Sequence, residues 1–196
     1  MEHRIVLGAE VRAEPATEQS PRRLSGYAAV FNTPADILGR FQERIAPGAF
    51  RDSLGSADQV ALWNHDSSFP LGRKSAGTLR LQEDSQGLTF SLDLPDTQMG
   101  RDVHTLVTRG DIRGMSFGFT VPQNGDEWAM IDGKRTRTLV RVDLAEVSPV
   151  TFPAFPSTSV EARSLERLAE EAERRVLVAV PVEIRAKQTH ARRLTI

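Results

Sequence analysis

Three short stretches of this chain carry the side chains needed to activate a hydroxyl group. Trp63-Asn64-His65-Asp66 supplies an imidazole, and Gly114-Met115-Ser116-Phe117-Gly118-Phe119 supplies a serine between glycines. Leu144-Ala145-Glu146-Val147-Ser148-Pro149-Val150 supplies a carboxylate in an otherwise apolar run. Nucleophile, base and a group to orient the base are the three parts of a serine hydrolase. The chain order of histidine, serine, acid is not that of the chymotrypsin, subtilisin or α/β-hydrolase types, so these residues imply another fold.

Each residue also has a structural reading. Taken as one unbulged strand, Thr136 to Ser148 sets Val140, Val142, Leu144 and Glu146 on one face and Arg137, Arg141 and Asp143 on the other, towards solvent. Glu146 then points inward, where an unpaired carboxylate costs several kcal/mol. Its partner is either an imidazole N–H or an arginine such as Arg44 or Arg73, and the pattern leaves both open. Ser116 shares its strand face with Gly114 and Gly118, which leave room for another backbone to approach the hydroxyl. That backbone is either a peptide substrate or a packed element of the chain itself. His65 closes a strand, and its neighbour Asp66 should point to the opposite face and hold the loop instead. His3 and His190 lie near the ends of the chain and His104 on a helix. No second histidine stands at ligand spacing from His65, so a metal centre is poorly supported and no cofactor is expected.

The elements that must position these residues are mostly strands. Strands are expected over 4–12, Leu24–Phe31, Phe41–Ile45, Gln59–Trp63 and Gly114–Val121. A hairpin joins Thr78–Gln82 to Leu88–Leu94, with Leu88, Phe90, Leu92 and Leu94 on one face. A second pairs Trp128–Ile131 with Thr136–Glu146 across Asp132-Gly133. Helices are expected from about Pro47 to Leu54 and from Thr97 to Arg109, the latter stopped by Gly110. Pro149, Pro153 and Pro156 argue against regular pairing there. Beyond Val160, Ser164–Arg175 reads as a charged helix with a thin stripe of Leu165, Leu168 and Ala172, followed by a basic, polar stretch. The expected division is a core domain over 1–160 and a helical and polar extension over 161–196.

Bulk properties narrow the function. The chain has 196 residues, 39% hydrophobic and 26% charged, with a formal net charge of −1. Near-neutrality argues against a nucleic-acid binder that works by neutralising phosphates. There are no cysteines, which excludes disulfides, zinc–thiolate sites and a cysteine nucleophile. Neither a signal peptide nor a run of ~20 apolar residues is seen, so no membrane association is expected.

Together the strings resemble those of the prohead (procapsid) maturation proteases of tailed bacteriophages, a family similar in fold to the herpesvirus assemblins. The matching landmarks are Gly26–Phe31, Glu43–Phe50, Asn64-His65-Asp66, Pro70–Arg73, Gly114–Phe119 and Glu146–Ala154, spread over Leu24 to Val160. The resemblance implies a small, mostly antiparallel barrel with a few helices, in which His65 is the general base and Ser116 the nucleophile. The assemblins use a second histidine as third member; this chain has none between Ser116 and His190, and Glu146 is the substitute. The resemblance further implies cleavage of scaffold, or of the scaffolding segment of the major capsid protein, and then of the protease itself. This takes place inside the immature shell in the host cytoplasm, with a homodimer as the expected state. A competing reading is a non-catalytic assembly or scaffold protein that keeps the fold without the chemistry.

Overall fold

Alternation of apolar and polar residues accounts for most elements of the computed structural model, which describes residues 1–5, 10–14, 21–37 and 39–151. Its strands are β1 (Glu2–Ile5), β2 (Val11–Glu14), β3 (Arg23–Val30), β4 (Ala35–Ile37) and β5 (Phe41–Ile45), followed after helix α1 (Arg51–Ser56) by β6 (Val60–Trp63), β7 (Asp66–Arg73), β8 (Leu79–Glu83) and β9 (Gly87–Asp93). Helix α2 (Gln98–Arg109) then leads to β10 (Gly114–Thr120), β11 (Asp126–Ile131), β12 (Lys134–Leu139) and β13 (Asp143–Val150).

The strands form three sheets, ordered β1-β10-β13-β6-β7, β11-β12-β5-β4 and β2-β3-β9-β8. Pairing is antiparallel except for β12 with β5 and β13 with β6. One apolar core joins all three sheets, through Leu24 and Phe90, Ile45 and Leu139, and Phe117 and Val147. The protein is therefore mainly β. The Leu88, Phe90, Leu92 and Leu94 face is buried as its alternation requires. Helix α2 is capped by Thr97, whose side chain accepts from the Gly100 N–H, and ends at Gly110 in the left-handed conformation. Its Val103 and Val107 are buried.

Several local expectations are corrected. The first helix begins at Arg51, not Pro47, because Gly48 has φ +87°, which no right-handed helix accommodates. The span read as one strand from Thr136 is two, in different sheets. Val140 and Arg141 both donate their N–H to the Gly125 carbonyl, and the Val142 N–H donates to Ala49, which carries the chain from one sheet to the other. That break resets the parity, and Arg137 is 1% exposed instead of facing solvent.

Pro149 does lie in a ladder, opposite Met115. Its carbonyl accepts from the Asn64 N–H. In an extended strand a residue's N–H and C=O point the same way, so the donor that proline lacks would have faced away from β10. Strands β4 and β7 were not anticipated. The expected charged helix, the polar stretch after it and the boundary at 160 lie outside the described residues.

Candidate active site

The five-stranded sheet has two chemically different faces at its centre. Paired residues of antiparallel strands share a face, so the register Phe117↔Val147 and Phe119↔Leu144 builds an apolar core face. The register Ser116↔Ser148 and Gly118↔Glu146 builds a polar one. Between these pairs the register shifts by one residue at Ala145, a bulge in β13. Leu144 and Glu146 therefore lie on opposite faces. Glu146 is buried, at 4% exposure, but beside Ser116 and not in the apolar core to which unbroken alternation assigned it.

His65 reaches this face from a hairpin. Trp63 pairs with Asp66, leaving Asn64 and His65 as a two-residue turn with φ +49° and +63°. Positive φ at both central residues is the type I′ geometry that matches strand twist. Asparagine tolerates it, whereas histidine there is held by its surroundings. Those surroundings come from β13 and the residue that follows it. The Asn64 side-chain carbonyl accepts from the Thr151 N–H at 3.0 Å. The His65 N–H donates to Ser148 Oγ at 3.2 Å.

The imidazole and the carboxylate meet directly. His65 Nδ1–H donates to Glu146 Oε1 at 2.7 Å. The other carboxylate oxygen, Oε2, accepts from Ser148 Oγ at 2.5 Å. Ser148 thus ties the base's backbone to the acid's side chain. Arg44 and Arg73, the alternative partners of Glu146, are engaged elsewhere, with Thr138 and Asp58 respectively. Asp66 is exposed and accepts from the Ser68 N–H at 2.8 Å, so it stabilises the turn.

Ser116 is fully buried, and its hydroxyl donates to the main-chain carbonyl of Arg4 at 3.0 Å. The glycines around it have different surroundings. A Cβ on Gly118 would stand 2.5 Å from Glu146 Oε1, 2.9 Å from Met1 Sδ and 3.0 Å from His3 Cδ2, so glycine is what admits the carboxylate.

His3 and Ser148 are members of this site that the sequence reading passed over. His3 is opposite Gly118 in β1, its ring centroid 4.2 Å from that of His65 and its Nε2 4.0 Å from Glu146 Oε1. Ser148 lies two residues beyond Glu146, on the same face, and that spacing was a usable signal. Among the described residues, donor atoms of His3, His65 and Glu146 lie within 4.8 Å of one another, a set able to hold a small cation. His65 and Glu146, two of those three side chains, are already hydrogen-bonded to each other.

A buried ion cluster lies on the far side of β1. Arg4 Nε donates to Glu43 Oε1 at 2.5 Å, and Arg137 Nη1 donates to Glu43 Oε2 and Glu2 Oε2, both at 3.0 Å. Arg137 Nε also donates to Asp126 at 2.9 Å. Burial disfavours both guanidinium charges, but Glu43 and Glu2 more than offset it and hold both pKa values above the ordinary arginine range.

A mainly β fold that sets a histidine–carboxylate pair and a strand-borne serine on one sheet face has the parts of a serine hydrolase outside the three familiar chain orders. Comparison with known families is specific: the chain belongs to the caudovirus prohead serine protease family, whose profile matches residues 8–171. That match runs past the boundary expected at 160. Among solved structures it is similar to the bacteriophage T4 capsid assembly protease, gp21, at 12% identity and a TM-score of 0.40, over 76% of this chain and 99% of that one. No curated protein matches.

Proposed function

We propose that the protein is a serine endopeptidase of capsid maturation in which Ser116 is the nucleophile, His65 the general base and Glu146 the residue that orients and stabilises the imidazole. The observation that carries this reading is the 2.7 Å bond from His65 Nδ1 to a carboxylate that shares a sheet face with Ser116. With Nδ1–H held by Glu146, Nε2 is the nitrogen left to take the Ser116 proton as Oγ attacks a substrate carbonyl carbon. The same nitrogen returns that proton to the leaving amine, and Glu146 remains ionised throughout. Ser148 holds the second carboxylate oxygen and keeps Glu146 from turning away.

Family membership supports the substrates: scaffold, or the scaffolding segment of the major capsid protein, cut inside the immature shell in the host cytoplasm. Self-cleavage after about Val160 would release the charged extension over 161–196, leaving 1–160 as the catalytic domain. A homodimer is the state this reading favours by likeness to the assemblins.

The test is co-expression with the capsid protein, with and without Ser116→Ala, followed by mass spectrometry of the products. Wild type should yield both shortened capsid protein and a shortened protease. Ser116→Ala should yield neither, because loss of a serine nucleophile costs about six orders of magnitude in turnover. Normal processing by folded Ser116→Ala would overturn the assignment.

A further inference from the structure

Gly118 stands at the centre of a row that crosses three strands. His3 lies opposite it on β1 and Glu146 opposite it on β13, and residues paired in this way share a face of the sheet. Two strand spacings, about 10 Å, separate the backbones of His3 and Glu146. Their side chains meet over the glycine, with His3 Nε2 4.0 Å from Glu146 Oε1. A Cβ at 118 would stand 3.0 Å from His3 Cδ2 and 2.5 Å from Glu146 Oε1, so any other residue would part them. His65 reaches the same carboxylate oxygen from the turn between β6 and β7, its Nδ1 2.7 Å away. Two imidazoles and one carboxylate therefore converge, and one donor atom from each lies within 4.8 Å of the others.

We propose that His3 Nε2, His65 Nδ1 and Glu146 Oε1 form a binding site for a zinc-like divalent cation, and that the bound ion switches the protease off. The inhibition rests on His65 being the general base; the binding site does not.

The donor set and its spacing suit that class of ion. Four-coordinate zinc with bonds of about 2.0–2.1 Å spaces its ligand atoms about 3.4 Å apart. The separations of 2.7 and 4.0 Å fall on either side of that value, each within about 0.7 Å of it, an adjustment that side-chain rotation supplies. Two histidines and a glutamate, with water in the fourth position, are an accepted zinc donor set. Imidazole favours zinc and its transition-metal neighbours, whereas magnesium and calcium take oxygen ligands. The His3 and His65 side chains are 30% and 21% exposed, which gives an ion a way in from solvent, and the buried Glu146 carboxylate opposes its charge.

Metal at Nδ1 and catalysis at Nε2 exclude each other. A neutral imidazole carries one ring proton, and a metal bound at Nδ1 leaves that proton on Nε2. Nε2 is then a donor and cannot accept the Ser116 proton. The ion also takes the place of the hydrogen between His65 Nδ1 and Glu146 Oε1, so the carboxylate neutralises the metal and no longer steadies an imidazolium. No bond of the chain is altered, and a chelator restores the base.

The experiment titrates the full chain with zinc by calorimetry and measures cleavage of purified capsid precursor across the same range of free zinc. One zinc should bind per chain, half-inhibition should coincide with half-saturation, and EDTA should restore cleavage; magnesium should do neither. His3→Gln and Glu146→Gln should each weaken zinc binding by more than about tenfold, since loss of even an outer-shell partner costs about 10- to 100-fold. Half-inhibition of His3→Gln should need correspondingly more zinc, and His104→Gln should bind zinc as wild type does. Zinc binding unaffected by both site substitutions, or absent from wild type, would overturn the site and leave the catalytic assignments standing. If the site variants do not fold, diethyl pyrocarbonate footprinting of the wild-type chain decides. Zinc should protect His3 and His65 but not His104 or His190, and any other pattern overturns the site. Zinc held by these three residues with cleavage undiminished would overturn the inhibition, and with it His65 as the general base.

Discussion

Glu43 and Glu146 are equally buried, each at 4% exposure, and differ in what they face. Glu43 is held between the guanidiniums of Arg4 and Arg137, groups that stay charged at any pH the fold survives. Glu146 is held by an imidazole N–H and a hydroxyl. The first arrangement fixes a charge and the second sits next to a group that can take up and release a proton. Burial alone therefore does not separate the two carboxylates. Their proposed roles rest on the chemistry of the partner.

The comparison is sharpest in the neutral isosteres. Glu146→Gln should lower peptide hydrolysis by about four orders of magnitude, since an amide neither fixes the imidazole tautomer nor stabilises the imidazolium. Its melting temperature should stay close to wild type, because the amide can still bond to Ser148. Steady-state kinetics beside thermal melts check this; near-normal turnover would return Glu146 to a structural role.

Glu43→Gln should invert the pattern. It leaves two buried guanidiniums short of a counter-charge and should cost about 3–5 kcal/mol of stability, read by denaturant unfolding. Turnover per folded molecule should not fall. A stable Glu43→Gln protein with lost activity would erase the distinction between the two carboxylates.

A third carboxylate supplies the weak end of the scale. Asp93 has burial working to raise its pKa, yet hydrogen bonds and charge from Arg80 and Arg23 prevail and hold it below the usual range. A depressed folded pKa contributes stability above the unfolded value and loses it as pH falls through the folded one. Asp93→Asn should thus lower stability near neutrality by less than about 1 kcal/mol, given the solvent around it. It should also shrink the loss of stability on acidification below about pH 4. Melting curves from neutral pH downward would check both, and an unchanged acid limb would show the pair to be idle.

Much of the frame was legible because it rests on short-range pattern. The β8–β9 hairpin and the capped helix α2 follow from alternation, turn residues and caps that lie within a few positions of one another. The inward burial of Glu146 was also legible, but not its face. The bulge at Ala145 carries no glycine or other mark in the sequence, and it moves Glu146 from the core side to the side of Ser116. Arg137 was misread for a related reason. The chain changes sheets at Val140–Val142 through backbone bonds to Gly125 and Ala49, which no residue pattern there announces. His3 was out of reach because its pairing with Gly118 is purely long-range, and only the fold brings β1 beside β10.

The central claim is a division of labour between two serines that stand opposite each other in the register, Ser116 on β10 and Ser148 on β13. Cleavage of the capsid precursor by Ser116→Ala and Ser148→Ala, each verified as folded, tests it most directly. The account predicts no cleavage by Ser116→Ala. It predicts slowed cleavage by Ser148→Ala, about ten- to a hundredfold, the worth of one hydrogen bond to a buried charge. Cleavage that survives Ser116→Ala and vanishes in Ser148→Ala would contradict it.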